Sequence, residues 1–214
     1  MSECKEVTAD DFKKYFKVRG TYSVRDGVYD VNGSVLLIKK VKTLPFQFGI
    51  VTGDFDCSKN NLTTLKGAPK EVGEDFNCMF NKLTSLKGAP VKVGRGFYCC
   101  RNNLSSLKGS PKEVGGNFDC RFNKLVSLEG VPKEVGRDFW CGENFLTSLE
   151  GAPVKVEWDF WCGRNKLRSL KGAPKEVRGD FWCGGNPKSF TIEEVEAVSK
   201  VGRNIILEID KYQV

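Results

Sequence analysis

Three tryptophans, Trp140, Trp161 and Trp182, recur at intervals of 21 residues, each between a phenylalanine and a cysteine. Two residues before each stands an aspartate, at Asp138, Asp159 and Asp180. Indoles in a row can stack on flat or apolar groups, and carboxylates beside them attract cations. Tyr98 takes the tryptophan position two repeats earlier, and Arg101, Arg121, Phe122 and Arg164 fall one or two residues after the repeat cysteines. Aromatic rings beside arginine are the usual material of binding hot spots. Catalytic readings of the same residues are poor. Carboxylates about 5 Å apart are the spacing of retaining glycosidases, but a repeat generates that spacing automatically. The chain has no histidine, the commonest acid–base group. Cys100, the one repeat cysteine expected to face outward, has Arg101 beside it and no activating base. With no histidine and no Cys-x-x-Cys, neither a metal site nor any cofactor is expected. An enzyme is therefore not expected.

These residues belong to a longer pattern. Phe-x-Cys-x-x-Asn begins at Phe55 and returns at Phe76, Phe97, Phe118, Phe139, Phe160 and Phe181. A fixed period of this length predicts a solenoid whose coils stack on their neighbours. Within one unit, Phe118 and Cys120 alternate with Asp119 and Arg121, the period of a short strand. Asn123 follows at a turn, where its amide can bond backbone groups of its own and adjacent coils. Leu125, Leu128 and Val135 are expected inside, and Gly130 and Pro132 mark a second bend. The chain contains nine cysteines, seven of them at one repeat position. Stacked parallel strands hold Cβ atoms ~4.8 Å apart, whereas a disulfide needs ~3.8 Å. A reduced, apolar cysteine row is expected.

The pattern Phe-x-Cys-x-x-Asn-x-Leu-x-Ser-Leu-x-Gly-x-Pro-x-x-Val resembles the leucine-rich repeat family. Its Pro-x-x-Val arm is similar to the short bacterial subclass of secreted YopM- and IpaH-type effectors, and to repeat proteins of large tailed phages. The resemblance implies an α/β repeat solenoid, curved, with a parallel sheet on its concave face and polyproline or irregular convex arms. It also implies a protein-binding role, and a host or defence protein as partner if the chain is phage-encoded. IpaH-type effectors carry a ubiquitin-ligase domain after their repeats. The segment following Asn186 is too short for one, so that activity is not expected.

Three regions are expected: an N-terminal cap over residues 1–34, the solenoid over 35–190, and a capping helix and strand over 191–214. In the first, Thr8 is placed to start a helix through Asp11, Phe12, Tyr15 and Phe16, and Asp26-Gly27 and Asn32-Gly33 carry turn signals. Val35 to Ile38 reads as a degenerate first repeat strand. At the other end, Thr191-Ile192-Glu193-Glu194 reads as a helix start and Ile205 to Ile209 as a closing strand. The net charge of +7 is spread over rim lysines such as Lys66, Lys87, Lys108 and Lys171, which argues against dedicated nucleic-acid binding. No apolar run reaches the ~20 residues of a membrane helix, and the start Met1-Ser2-Glu3-Cys4 lacks a signal-peptide pattern. A cytoplasmic location is expected.

The outward strand positions are then expected to form the working surface. Trp140, Trp161 and Trp182 would line the concave face beside the aspartates, with glycines opening room after the cysteines. The leading expectation is a noncatalytic protein-binding module, a monomer or weak homo-oligomer, whose aspartates meet a basic segment of the partner. The alternative is a nucleotide or sugar binder using the tryptophans and nearby arginines. A third reading stays open: the tryptophans form only a stabilising ladder, and the aspartates accept N–H groups in turns.

Overall fold

A computed structural model describes residues 9–208. Those residues wind into a parallel β-solenoid. The described residues begin with α1 (Ala9–Tyr15), then the antiparallel hairpin of β1 (Phe16–Arg25) and β2 (Val28–Leu37), then β3 (Gln47–Val51). Every later coil contributes two strands of two residues each, such as Phe118–Asp119 and Glu134–Val135. The first kind stacks into one ladder of nine rungs, from Val35–Leu36 in β2 through Phe55–Asp56 to Ile205–Ile206. The second kind stacks into an opposing ladder, from β2 and β3 through Glu71–Val72 to Lys200–Val201. A short helix, α2 (Ile192–Glu196), lies before the last rung.

The expected α/β architecture is corrected here, because the described residues are nearly all sheet and turn. The arm opposite the phenylalanine strands is a second parallel ladder, not polyproline. Its strands alternate an exposed or half-buried Glu or Lys with a buried valine, which is itself a strand pattern. That ladder is interrupted once. Its N–H to C=O row runs Lys70 to Gly49, Val91 to Lys70 and Lys112 to Val91, then resumes only with Val154 to Lys133. The break falls in the coil that carries Val131 where others carry Ala68, Ala89, Ala152 and Ala173.

Between the ladders runs an aromatic column. Phe55, Phe76, Phe97, Phe118, Phe139, Phe160 and Phe181 are fully buried, with successive ring centroids 5.0 to 5.8 Å apart. Leu125, Leu128 and Val135 point inward as expected, and Cys57, Cys78, Cys99, Cys120, Cys141, Cys162 and Cys183 are buried free thiols. Cys4 lies outside the described residues.

The column does not stop at Phe55. Phe48 packs edge-on against it, and Phe12 of α1 stacks on Tyr29 at 4.3 Å and meets Phe46 and Phe48. Thr8 lies outside the described residues, and Phe16 opens β1 instead of extending the helix. Asp26 and Gly27, both with positive φ, form the hairpin turn. Asn32-Gly33 is not a turn. Gly33 sits inside β2 opposite Gly20, and a Cβ on Gly20 would lie 2.1 Å from the Asn32 carbonyl oxygen. The paired glycines let the hairpin bend from one ladder to the other, so β2 runs through the boundary expected at residue 35. At the far end Thr191 and Glu194 form a capping box. Ile205–Ile206 pairs with Phe181–Trp182; Ile209 lies outside the described residues. No helix among the described residues is long and apolar enough to cross a membrane.

The turn after each cysteine depends on its asparagine. The Asn123 amide nitrogen donates to the carbonyls of Cys99 and Cys120 at 3.1 Å, and its oxygen accepts the Leu104 N–H at 3.0 Å. All these groups are buried. Asn123→Asp removes the donor and inserts a charge, and should cost at least about 2 kcal/mol. Phe118→Ala should cost about 3–5 kcal/mol, as expected for a phenylalanine with rings above and below. Urea denaturation measures both; a loss under about 1 kcal/mol in either would contradict the packing described.

Candidate functional site

The outer face of the phenylalanine ladder carries Trp140, Trp161, Trp182 and Arg121. Its shape comes from the turn. The residue before each asparagine has a positive φ in six coils: Lys59, Phe80, Arg101, Phe122, Glu143 and Arg164, between 49° and 54°. Such a conformation is unfavourable for a side chain that is not glycine, and the asparagine bonds hold it in place. The sequence pattern did not reveal this row; Gly185 at the seventh position is the only hint. The row forms its own stack, with the Arg101 guanidinium 4.1 Å from the Phe122 ring and 5.3 Å from Phe80. Arg164 pairs instead with Glu143 at 2.6 Å.

The indoles are half-buried, in register on adjacent rungs. Arg121 lies over two of them, 4.6 Å from Trp140 and 5.2 Å from Trp161. Its fork is held by Asp119, Nε to Oδ1 at 2.9 Å and Nη2 to Oδ2 at 2.8 Å. Asp119 is buried, only 1% exposed, because this pair covers it. A bidentate partner fixes an arginine in position. Contrary to the expectation from the sequence, Gly142 and Gly163 do not open room. A Cβ on either would lie within 3.0 Å of the Trp161 indole, so that ring already lies over them. Tyr98 turns the other way, over Gly96, and accepts a 3.4 Å hydrogen bond from Asn117. Burial raises its phenol above the ordinary value.

Cys100 corrects the sequence expectation. It is buried, 5% exposed. Burial, together with the nearby Asp119 charge, pushes its thiol up to about 12, so it is not a nucleophile at neutral pH.

The aspartates perform structural work. Asp138 Oδ1 accepts the Asp159 N–H at 3.0 Å, Asp159 Oδ1 accepts the Asp180 N–H at 2.8 Å, and Asp180 Oδ1 accepts the Asn204 N–H at 2.9 Å. Asp54 and Asp75 do the same in the first coils, and Asn117 accepts the Asp138 N–H. Among the described residues, none of Asp138, Asp159 and Asp180 forms an ion pair. Burial holds the Asp138 carboxyl above its usual range, and the neighbouring Asp159 charge adds to that.

Among the described residues no group of His, Cys, Asp and Glu is placed to hold a metal. The arrangement offers stacking surfaces, a guanidinium fixed by Asp119, and carboxylates without an ion pair among the described residues. A raised Asp138 pKa means that the folded state favours its protonated form, so its contribution to stability is lost as pH rises through that value. Asp138→Asn keeps the acceptor and removes the charge, and should raise the denaturation midpoint at pH 7. The gain should fade as the pH falls through the raised folded-state value and be gone below the free-carboxyl value of ~3.9; a pH-independent effect would refute the assignment. Comparison of the chain with protein-family models, with curated proteins and with solved structures finds no match.

Proposed function

We propose that this chain is a noncatalytic binding protein of leucine-rich repeat type, which docks a segment of another protein on the outer face of its phenylalanine ladder. The observation that carries the reading is the Arg121 clamp. Asp119 holds the guanidinium over Trp140 and Trp161, so the aromatic strip is set before any ligand arrives. A preorganised strip loses little freedom on binding, which favours affinity. Trp140, Trp161 and Trp182 serve as anchors, and Tyr98, Arg101 and Phe122 extend the strip toward the N-terminal coils. Asp138, Asp159 and Asp180 receive basic side chains of the partner. The segments at the two ends of the solenoid act as caps. The resemblance to phage and bacterial effector repeats directs the search for the partner to host defence proteins, in a cytoplasmic setting.

A second reading rests on Trp161. Its indole lies over Gly142 and Gly163, a platform on which a base or sugar ring could stack.

The test is a capture experiment with the purified chain as bait. A partner retained by the wild type is identified, purified and titrated against both forms. The Trp140→Ala/Trp161→Ala variant should bind it at least about a hundredfold more weakly, the loss of two anchors. Equal affinity of both forms would overturn the proposal. Quenching of tryptophan fluorescence by nucleotides or sugars, with no protein captured, would favour the second reading.

A further inference from the structure

We propose that the outer edge of β1 is a second docking site, which takes up an extended peptide strand alternating acidic and apolar residues. It is independent of the tryptophan face.

The hairpin register decides which backbone groups are open. Arg25 and Val28 flank a two-residue turn and therefore exchange both hydrogen bonds. Counting back by twos, Ser23, Thr21, Arg19 and Lys17 also bond to β2. Val18, Gly20, Tyr22 and Val24 then direct their N–H and C=O groups to the opposite edge. The far side of β2 agrees with this phase: Val35 donates to the Asp54 carbonyl, and the Val31 carbonyl accepts from Thr52. Among the described residues nothing hydrogen-bonds to the outer edge of β1.

The side chains there also lack a neighbour. One rung inward, Tyr29, Val31 and Val35 are 5%, 2% and 1% exposed. Their partners on β1, Val24, Tyr22 and Val18, face the same interior, yet Val24 is 50% exposed and the other two are half-buried. One further strand would cover this apolar strip and complete the backbone pairing at once. On the alternate positions, Lys17, Arg19 and Arg25 are exposed and form no ion pair among the described residues. The added strand must therefore present apolar residues inward and acidic residues outward.

Charge argues against a second copy of this chain. Antiparallel pairing of two β1 strands would set Lys17 near Arg25. Basic residues on an edge strand discourage self-association, and the same charges attract an acidic strand.

The probe is a synthetic ten-residue peptide of alternating glutamate and valine, labelled and titrated by fluorescence anisotropy against the full chain. We expect saturable one-to-one binding that weakens with salt, and none with lysine in place of glutamate. Val24→Pro deletes one outward N–H and leaves the β1–β2 ladder intact; it should weaken binding about fivefold or more. Lys17→Glu/Arg19→Glu/Arg25→Glu should weaken it at least about tenfold. Both variants should keep the wild-type circular dichroism and denaturation midpoint, and Trp140→Ala/Trp161→Ala should bind the peptide normally. Absence of binding, or binding unaffected by both β1 variants, would overturn the proposal. So would a concentration-dependent rise in mass by sedimentation that Val24→Pro abolishes, since it would assign the edge to a second copy.

Discussion

Everything in this molecule depends on satisfying the backbone at the turn that follows each cysteine. The strand is only two residues long, so the chain leaves it at once and enters a conformation with positive φ. Carbonyls of two coils then face the interior with no strand partner. One asparagine per coil accepts an N–H from the coil before and donates to carbonyls of both, as Asn81 does toward Leu62, Cys57 and Cys78. Buried polar groups left unpaired would cost more than such short strands can return. With the amide in place the coils stack in register, the phenylalanines form one column, and the outward positions form rows.

A second polar ladder bounds the same strands on their other side. There a side-chain oxygen before the phenylalanine accepts the N–H of the next coil: Ser34 to Asp54, Asp54 to Asp75, Asp75 to Gly96. It lapses at Gly96, which has no side chain, and there the Tyr98 ring lies over the gap. It resumes at Asn117 and runs to Asn204. The aromatic strip thus lies between two hydrogen-bonded rails, which explains how two-residue strands can present bulky side chains in fixed positions.

Much of this was legible in the chain, because burial imposes identity. Phenylalanine, cysteine, leucine and valine at fixed spacing fill the interior of the repeats, so their columns stand out and the inward and outward registers follow. The asparagine role followed from its side-chain donors and acceptor. What the pattern hid was set by geometry that many residues satisfy. The positive-φ row contains lysine, phenylalanine, arginine and glutamate, so no residue type announces it. The second ladder looked like a proline-led arm because its strand signal is a single valine after a charge. Cys100 appeared outward by position, yet the Asp119–Arg121 pair from the next coil belongs to the cover over it. Gly33 carried a turn signal, and only the facing Gly20 reveals a corner instead.

The aspartate rail bears on why this face carries charge at all. Asn117 occupies the same position and makes the same bond to the next coil, so a neutral amide suffices for the rail. Asp138, Asp159 and Asp180 make that bond too, while adding like charges one rung apart and, at Asp138, a carboxyl that burial disfavours when ionised. In the first coils the equivalent Asp54 and Asp75 lie in the field of Arg95. The three beside the tryptophans have less compensation: Arg137 acts on Asp138, but its guanidinium lies toward Trp158, 5.6 Å from the ring centroid. Folding alone is served equally well by asparagine, and a repulsive row costs stability. In the binding role proposed above, that cost is offset by a cation that arrives with the ligand.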